Sequence, residues 1–536
     1  MTSPGAGAAP DQSPGCLALV LHAHLPFVRH PEHPRFLEED WLFEAITETY
    51  APLLLMLEDL EREAVPGSLS LTLSPTLCSM LLDPLLRSRY LRRLEGWIDL
   101  AEKETQRTRW EPAVRKITQH YLERFRAVRA LWLRWNGDLV TAFRHLQETG
   151  RLEILTCAAT HAMLPLLAGH PGSIRAQIMV ARDHYRSCFG RDPRGIWLPE
   201  CAYSSGLDEF LAQANIRWFV TETHGLLHAT PRPRFATFSP IFTPQGVAVF
   251  GRDPDSAQQV WSRAGGYPGD PAYRDFYRDI AFDLDLEYLE PYLSAPGCRT
   301  FTGLKYYRVT GPAPEKAIYD REAAMTKVAE HARHFLQART RHLGEAAKLM
   351  DQPPILLAPY DAELFGHWWY EGPEFLREIF LAAAQSAESP LLVTPGEFLR
   401  EHPRHQIAEP APSSWGEDGY MQVWMHENNQ WIFPHLEKAQ ERMAELARLH
   451  PGAEGLLRRA LNQAARELML AQSSDWPFML RNGGNAAYAT RRVTGHLQEF
   501  TRLHERIAAN SIDESELAGL ESRDNLFPEI NYRYWA

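Results

Sequence analysis

Two acidic residues far apart in the chain occupy the same kind of place. In GIWLPECAY, residues 195–203, Glu200 follows a short apolar run that Pro199 closes. In PILLAPYDAELFGHWWYEG, residues 354–372, Asp361 follows the apolar run 355–358 and Pro359. Proline has no N–H to give to a ladder, so the chain must leave the sheet at each point. Each carboxyl is thereby delivered at the carboxyl end of a strand, where parallel α/β folds build their sites. Trp and Tyr stand within a few residues of both. Paired carboxyls among aromatics predict glycosidic-bond chemistry, in which a nucleophile and an acid/base flank an oxocarbenium-like transition state. A retaining pair sits about 5–5.5 Å apart and an inverting pair roughly 6.5–9.5 Å apart. The residues alone leave the partner of Glu200 open, with Glu222 and Glu363 competing with Asp361.

Histidines offer a rival chemistry. His22 and His24 close an apolar strand (CLALVLHAH), and two imidazoles at i, i+2 joined by acids from other strands could bind zinc and activate water. They serve equally as hydrogen-bond partners for sugar hydroxyls. His161 follows another strand (LEILTCAATHAML) and has the same choice. Further on, Trp415, Trp424, Trp431 and Trp476 gather in turn-rich segments and at the start of a helical region. Flat indole faces suit stacking on pyranose rings, and Asp475 beside Trp476 can accept from hydroxyls.

Composition narrows the field. The chain of 536 residues exceeds one ordinary core and predicts two or three domains. A net charge of −12 without a basic stripe argues against nucleic acid as a partner. The six cysteines are scattered with no CxxC spacing, which argues against a zinc ribbon or a disulfide scaffold. The beginning, MTSPGAGAAPDQSPG, reads as a flexible tail (1–15) without the basic and apolar regions of a signal peptide. No apolar run reaches a membrane span, so a reducing cytoplasm and no membrane partner are expected.

The elements that must position these residues follow from periodicity. Strands are expected at 17–21, 68–77, 152–156, 195–198, 216–221, 300–311 and 355–358, with helices at 39–61 and 315–349 between them. Residues 80–150 are long, charged and helical, an insertion between two strands. Residues 229–272 are so rich in Pro and Gly that long regular elements are excluded, and their aromatics with Arg252 suggest a lid or cleft wall. A Pro-rich boundary near 400–415 precedes an all-helical remainder. Alternating strands and helices imply a mostly parallel α/β sheet closed as a barrel over 16–400, interrupted by 80–150 and followed by a helical domain, 401–536.

HAHLPF, ATHAMLPLL, GIWLPECAY, APYDAELFGHWWYEG and SSDWPFM, in that order, resemble the five motif regions of glycoside hydrolase family 57. VWSRAGGYPGDPAYRDFYRDI, KYYRVTG and the ending NLFPEINYRYW look like its 1,4-α-glucan branching enzymes. The resemblance runs from about residue 17 to the end. It implies an incomplete (β/α)7 barrel with a helical insertion and an α-helical C-terminal domain. It implies a retaining double displacement with Glu200 as nucleophile and Asp361 as general acid/base, without cofactor or metal. By the same match His22, His24 and His161 line the donor sugar site, Trp261, Trp415 and Trp424 shape the cleft, and Asp475 holds hydroxyls. An α-glucan such as amylose or glycogen would be the partner, bound by a monomer or weak homo-oligomer.

The sequence departs from that resemblance in PRPRFATF, where a mobile loop would carry a Tyr and Phe235 keeps the ring without the hydroxyl. A lost hydroxyl would favour hydrolysis over transfer. The alternatives are therefore an α-amylase or 4-α-glucanotransferase of the same family, a zinc-dependent hydrolase or deacetylase using His22 and His24, and a glucan-binding scaffold without catalysis.

Overall fold

A computed structural model describes residues 13–262, 265–295, 297–311 and 315–536. Nine strands form one curled sheet: β1 (Cys16–Ala23), β2 (Leu69–Leu73), β3 (Leu152–Cys157), β4 (Gly195–Trp197), β5 (Trp218–Thr221), β6 (Ile241–Phe242), β7 (Ala248–Gly251), β8 (Ile355–Asp361) and β9 (Leu391–Leu392). Their order is β6-β7-β5-β4-β3-β2-β1-β8, with β9 also on β1, and every pair is parallel except β6 with β7. The open ends of β7 and β8 meet through one bridge, in which the Asp253 N–H donates to the Leu357 carbonyl at 2.9 Å. Seven parallel strands thus make a ring with a one-bond seam, the incomplete (β/α)7 barrel that the motifs implied.

The period-2 alternation of strand side chains decides what faces the axis. Cys16, Ala18 and Val20 of β1 pack inside with Leu155, Trp197, Trp218, Ile355 and Leu357, while Leu17, Leu19 and Leu21 face the surrounding helices. Continuing that parity brings His22 to the axis. Its register partner across β1 and β8 is Asp361. The two chemical residues therefore share one end of the barrel because one alternation ends on both.

Several expected boundaries move. Strand β2 stops at Leu73, and Pro75 opens helix Pro75–Leu82 with Ser74 as its cap. The 229–272 stretch is not free of regular structure: it holds β6, β7 and helix Pro254–Trp261, capped by Asp253. Strand β7 has four residues, all buried, so it shows no alternation and reads as loop between its flanking glycines. The expected strand at 300–311 is absent. That segment makes only isolated bridges at Arg308 and Tyr307, and its alternation reflects Leu304 and Tyr306 turned into the core. The helix expected from 315 begins at Arg321, after its cap Asp320.

Helices Pro84–Arg107 and Pro112–Arg134 lie side by side between β2 and β3 in the chain, and Leu139–Glu148 returns to pack on β3. After the barrel, residues 402–431 carry little regular structure and cross its carboxyl end, pairing Ser413 with Tyr203 and Glu409 with Thr230. Helices Ile432–Leu449, Gly455–Ala471, Asp475–Asn482, Ala486–Ala508 and Glu514–Arg523 follow and pack together. Among the described residues no helix is long and apolar enough to cross a membrane. The expected tail falls almost wholly outside the described residues.

Candidate active site

Glu200 sits on a turn that the chain adopts only under constraint. After β4, Pro199 starts a single 3₁₀ turn in which Glu200 (φ 61°) and Cys201 (φ 50°) occupy the left-handed region. Non-glycine residues held there store strain of order 1–3 kcal/mol each, which the surroundings must offset. The Cys201 N–H donates to the Leu198 carbonyl at 2.9 Å, and the Trp415 N–H donates to the Glu200 carbonyl at 2.9 Å. His161, with φ 57°, is held the same way, its carbonyl accepting from the Ser474 N–H at 3.2 Å. Both strained residues are thus fastened by segments beyond residue 400.

Asp361 is the last residue of β8 and needs no such turn. Burial pushes its carboxyl up to about 7, against the pull of Arg252. Burial pushes Glu200 up to about 8, the charge of Asp361 adds to the rise, and a hydrogen bond from the Trp415 indole to Oε2 opposes it. Burial holds both carboxyls above their ordinary range and the Asp361 charge raises Glu200 further, which favours one proton on the pair near neutral pH. The two values taken alone favour Glu200 as the proton's holder. The contacts argue the other way: Glu200 accepts a direct N–H bond, while Arg252 spends its charge on Glu222, Nη1 to Oε2 at 3.0 Å. The bond from the indole favours the ionised form of Glu200 over the neutral one.

The competing acids are committed elsewhere. Glu222 caps helix Thr223–Leu227, its Oε1 accepting from the Thr223 N–H at 2.9 Å, besides pairing with Arg252. Glu363 Oε1 accepts from the Tyr50 hydroxyl and from the His24 N–H at 3.3 Å. Burial, with Asp361 nearby, pushes Glu363 up to about 8 and keeps it neutral. Tyr50 closes a five-residue π-turn, Ile46–Tyr50, inside the first long helix. Such insertions mark functional places, yet in sequence Tyr50 is only one of a helix's apolar stripe.

The histidines form a stack beside the acids. His24 lies over His161 with ring centroids 3.9 Å apart, and His22 lies over Trp197 at 4.9 Å. His24 Nε2 donates to Asp475 Oδ2 at 3.1 Å, and its Nδ1 shares a hydrogen bond with Ser74 Oγ at 2.8 Å. His161 Nδ1 bonds Ser474 Oγ at 2.8 Å and lies 3.9 Å from Glu200 Oε1. Its Nε2 bonds His22 Nε2 at 2.9 Å. Burial, reinforced by the other imidazoles, lowers His22 well below its usual range, and burial with His24 does the same to His161. Asp475 stays low although burial opposes it, because His24 and His161 face it.

Zinc bound by His22 and His24 does not fit this arrangement, since both nitrogens of His24 already have other partners. His22, Cys157 and His161 do lie within reach of one point. Of these, the Nε2 atoms of His22 and His161 are spent on each other at 2.9 Å.

Of the remaining candidates, Trp415 packs edge-on to Trp197 at 5.1 Å and beneath Arg252 at 5.3 Å. Trp424 is buried against Met163 and Ala202, next to Trp415. Trp261 lies farther out, paired with Trp368 at 6.0 Å. Phe235 is set apart. Its neighbours are Arg234, Asp351, Gln352 and residues 404–406, and Asp351 precedes β8. The seven residues of strand from Ile355 to Asp361, roughly 20 Å, separate that end from the acids. Sequence reasoning missed Ser74 and Ser474, whose types carried no signal.

Comparison with known proteins bears on this geometry. The family model described as glycosyl hydrolase family 57 matches residues 18–411, and one described as 1,4-alpha-glucan branching enzyme, C-terminal, matches 435–535. The chain belongs to glycosyl hydrolase family 57. A 1,4-α-glucan branching enzyme of Thermococcus kodakarensis is 34% identical, the alignment covering 96% of this chain and 78% of that one. A structure described as a novel α-amylase from Thermotoga maritima superposes with a TM-score of 0.92 at 43% identity, covering 97% of this chain and 99% of that one. The branching enzyme of this family from Pyrococcus horikoshii gives a TM-score of 0.87 at 34% identity, covering 97% of both chains.

Proposed function

We propose that this protein is a retaining 1,4-α-glucan branching enzyme, which cleaves an α-1,4-glucan and transfers the freed chain to a 6-hydroxyl. What supports this chemistry is the pair of carboxyls, Glu200 after β4 and Asp361 at the end of β8, both raised by burial and the first raised further by the charge of the second. In this reading Asp361 protonates the leaving oxygen while Glu200 attacks the anomeric carbon and forms a glycosyl ester. Asp361 then takes the proton of the incoming 6-hydroxyl, the new C1–O6 bond forms, and the ester to Glu200 breaks. The stacked imidazoles of His22, His24 and His161, with Asp475, hold the donor sugar.

Transfer rather than hydrolysis is supported by the C-terminal match over 435–535 and by branching relatives spanning almost the whole chain. The 43% identical structure described as an α-amylase favours a second reading, in which water takes the glycosyl group. Linkage analysis of amylose incubated with the protein separates them. Branching forms α-1,6 linkages with little rise in reducing ends; reducing ends that rise without α-1,6 linkages overturn it. The same reading takes residues 16–400, interrupted by 80–150, as the catalytic unit, and 401–536 as a helical domain completing the cleft. It sets the protein in the cytoplasm as a monomer or weak homo-oligomer.

A further inference from the structure

A cleft of about 1350 Å³ opens between the segment that follows β7 and the loop that follows β8. One wall begins at Leu364, three residues after Asp361, and continues to Trp368. The other is Trp261, nine residues after Arg252, at the end of helix Pro254–Trp261. The two indoles stand 6.0 Å apart and inclined at 49°. Trp368 is 43% exposed and lines the cleft. Trp261 Nε1, by contrast, is buried without a hydrogen-bond partner among the described residues. Phe276 lies on the cleft floor under the ammonium of Lys305, 4.3 Å away. Arg308, fixed to the Pro271 carbonyl at 3.1 Å, borders the cleft with polar donors.

Its position decides what it holds. Glu200 and Asp361 project from β4 and β8, on different sides of the ring, so they flank a sugar placed between them. The leaving oxygen and, later, the attacking hydroxyl lie on the acid/base side. The histidines stand at and just beyond the ends of β1 and β3, held by Asp475 and Ser474 of the helical region, and serve the donor ring, whereas the cleft begins three residues past Asp361. We propose that this cleft, with Trp368 as its stacking platform, binds the acceptor, a second α-1,4-glucan chain, and presents its 6-hydroxyl to Asp361.

The inference rests on the branching reading. The glycosyl group on Glu200 partitions between this chain and water, and only the first outcome depends on the cleft. Acceptor binding raises the local concentration of one hydroxyl over bulk water. The leaving chain passes through the same cleft, so total cleavage also responds to changes there; the partition ratio isolates the acceptor.

The test is Trp368→Ala beside Trp368→Phe, assayed on amylose for α-1,6 linkages formed per reducing end released. Loss of a stacked anchor is expected to lower that ratio about tenfold in Trp368→Ala, with Trp368→Phe retaining most of it and added acceptor chain restoring it. A purely structural effect slows both outcomes together, and an unchanged ratio overturns the proposal. Calorimetric titration of maltoheptaose into Glu200→Gln, with and without Trp368→Ala, reads the cleft independently. There a fivefold or greater loss of affinity, about 1 kcal/mol, is expected, and equal affinity also overturns it. Should the unaltered protein form no α-1,6 linkages, the branching reading falls, while the calorimetry still decides whether the cleft binds a glucan chain.

Discussion

Trp415 holds Glu200 at two points: its backbone N–H donates to the Glu200 carbonyl at 2.9 Å, and its indole N–H donates to the Glu200 carboxyl. The first bond fixes a backbone conformation that glutamate rarely takes. The second favours the ionised form of a carboxyl that burial would keep neutral. A residue beyond the barrel therefore helps to fix the backbone of Glu200, the proposed nucleophile, and favours its charge.

Trp415→Phe keeps a ring and removes the indole donor. A charge-assisted hydrogen bond contributes about 1.5–3 kcal/mol, so turnover is expected to fall roughly 10- to 100-fold. The acid limb of the activity profile should move to higher pH, because Glu200 loses the donor that favours its charge. Steady-state kinetics across pH 5–9 measure both, and a profile displaced the other way removes Trp415 from this role.

Glu200→Gln and Asp361→Asn are each expected to abolish turnover while the fold persists, as circular dichroism would record. More than a few per cent of activity in either variant would take that residue out of the mechanism. Glu222→Gln and Glu363→Gln should be milder, because those side chains bond Arg252 and Tyr50.

The same burial predicts a trade of stability for function. Burial and the Asp361 charge push Glu200 up from the usual 4.5 to about 8, so keeping it ionised beside Asp361 costs folding stability at neutral and higher pH. A group raised on folding contributes its full share below the unfolded value and loses it as pH rises through the folded value. Glu200→Gln should therefore gain melting temperature relative to the parent at pH 8, by the equivalent of a few kcal/mol, and gain little at pH 4.5. Calorimetric scans at the two pH values check this; an equal gain at both argues that the carboxyl is not the source.

Phe235→Tyr should leave the ratio of transfer to hydrolysis unchanged. Its ring lies against Arg234 and Gln352, near the amino end of β8, and a hydroxyl added there reaches neither acid. A raised ratio in product analysis would show that this loop approaches the carboxyl end during turnover.

Much of this was written in the chain. Apolar runs meeting Pro199 and Pro359 located both acids, but only Pro199 ends its strand; β8 runs on through Pro359, whose missing donor the ladder tolerates, as far as Asp361. The alternation through β1 that carries His22 to the axis is equally local. By contrast, β7 could not be read, since four residues buried on both faces carry no period. The segment 300–311 misled for the opposite reason: its alternation came from packing without strand pairing.

What the sequence determined by itself was which acids stand at strand ends as candidates for the chemistry, because that depends on neighbouring residues. Only the tertiary structure decided which acids remain available. The pairing of Glu222 with Arg252, of Glu363 with Tyr50 and of Glu200 with Trp415 joins residues 30 to 313 positions apart. Burial and proton sharing arise from such contacts across the fold, and no local pattern encodes them.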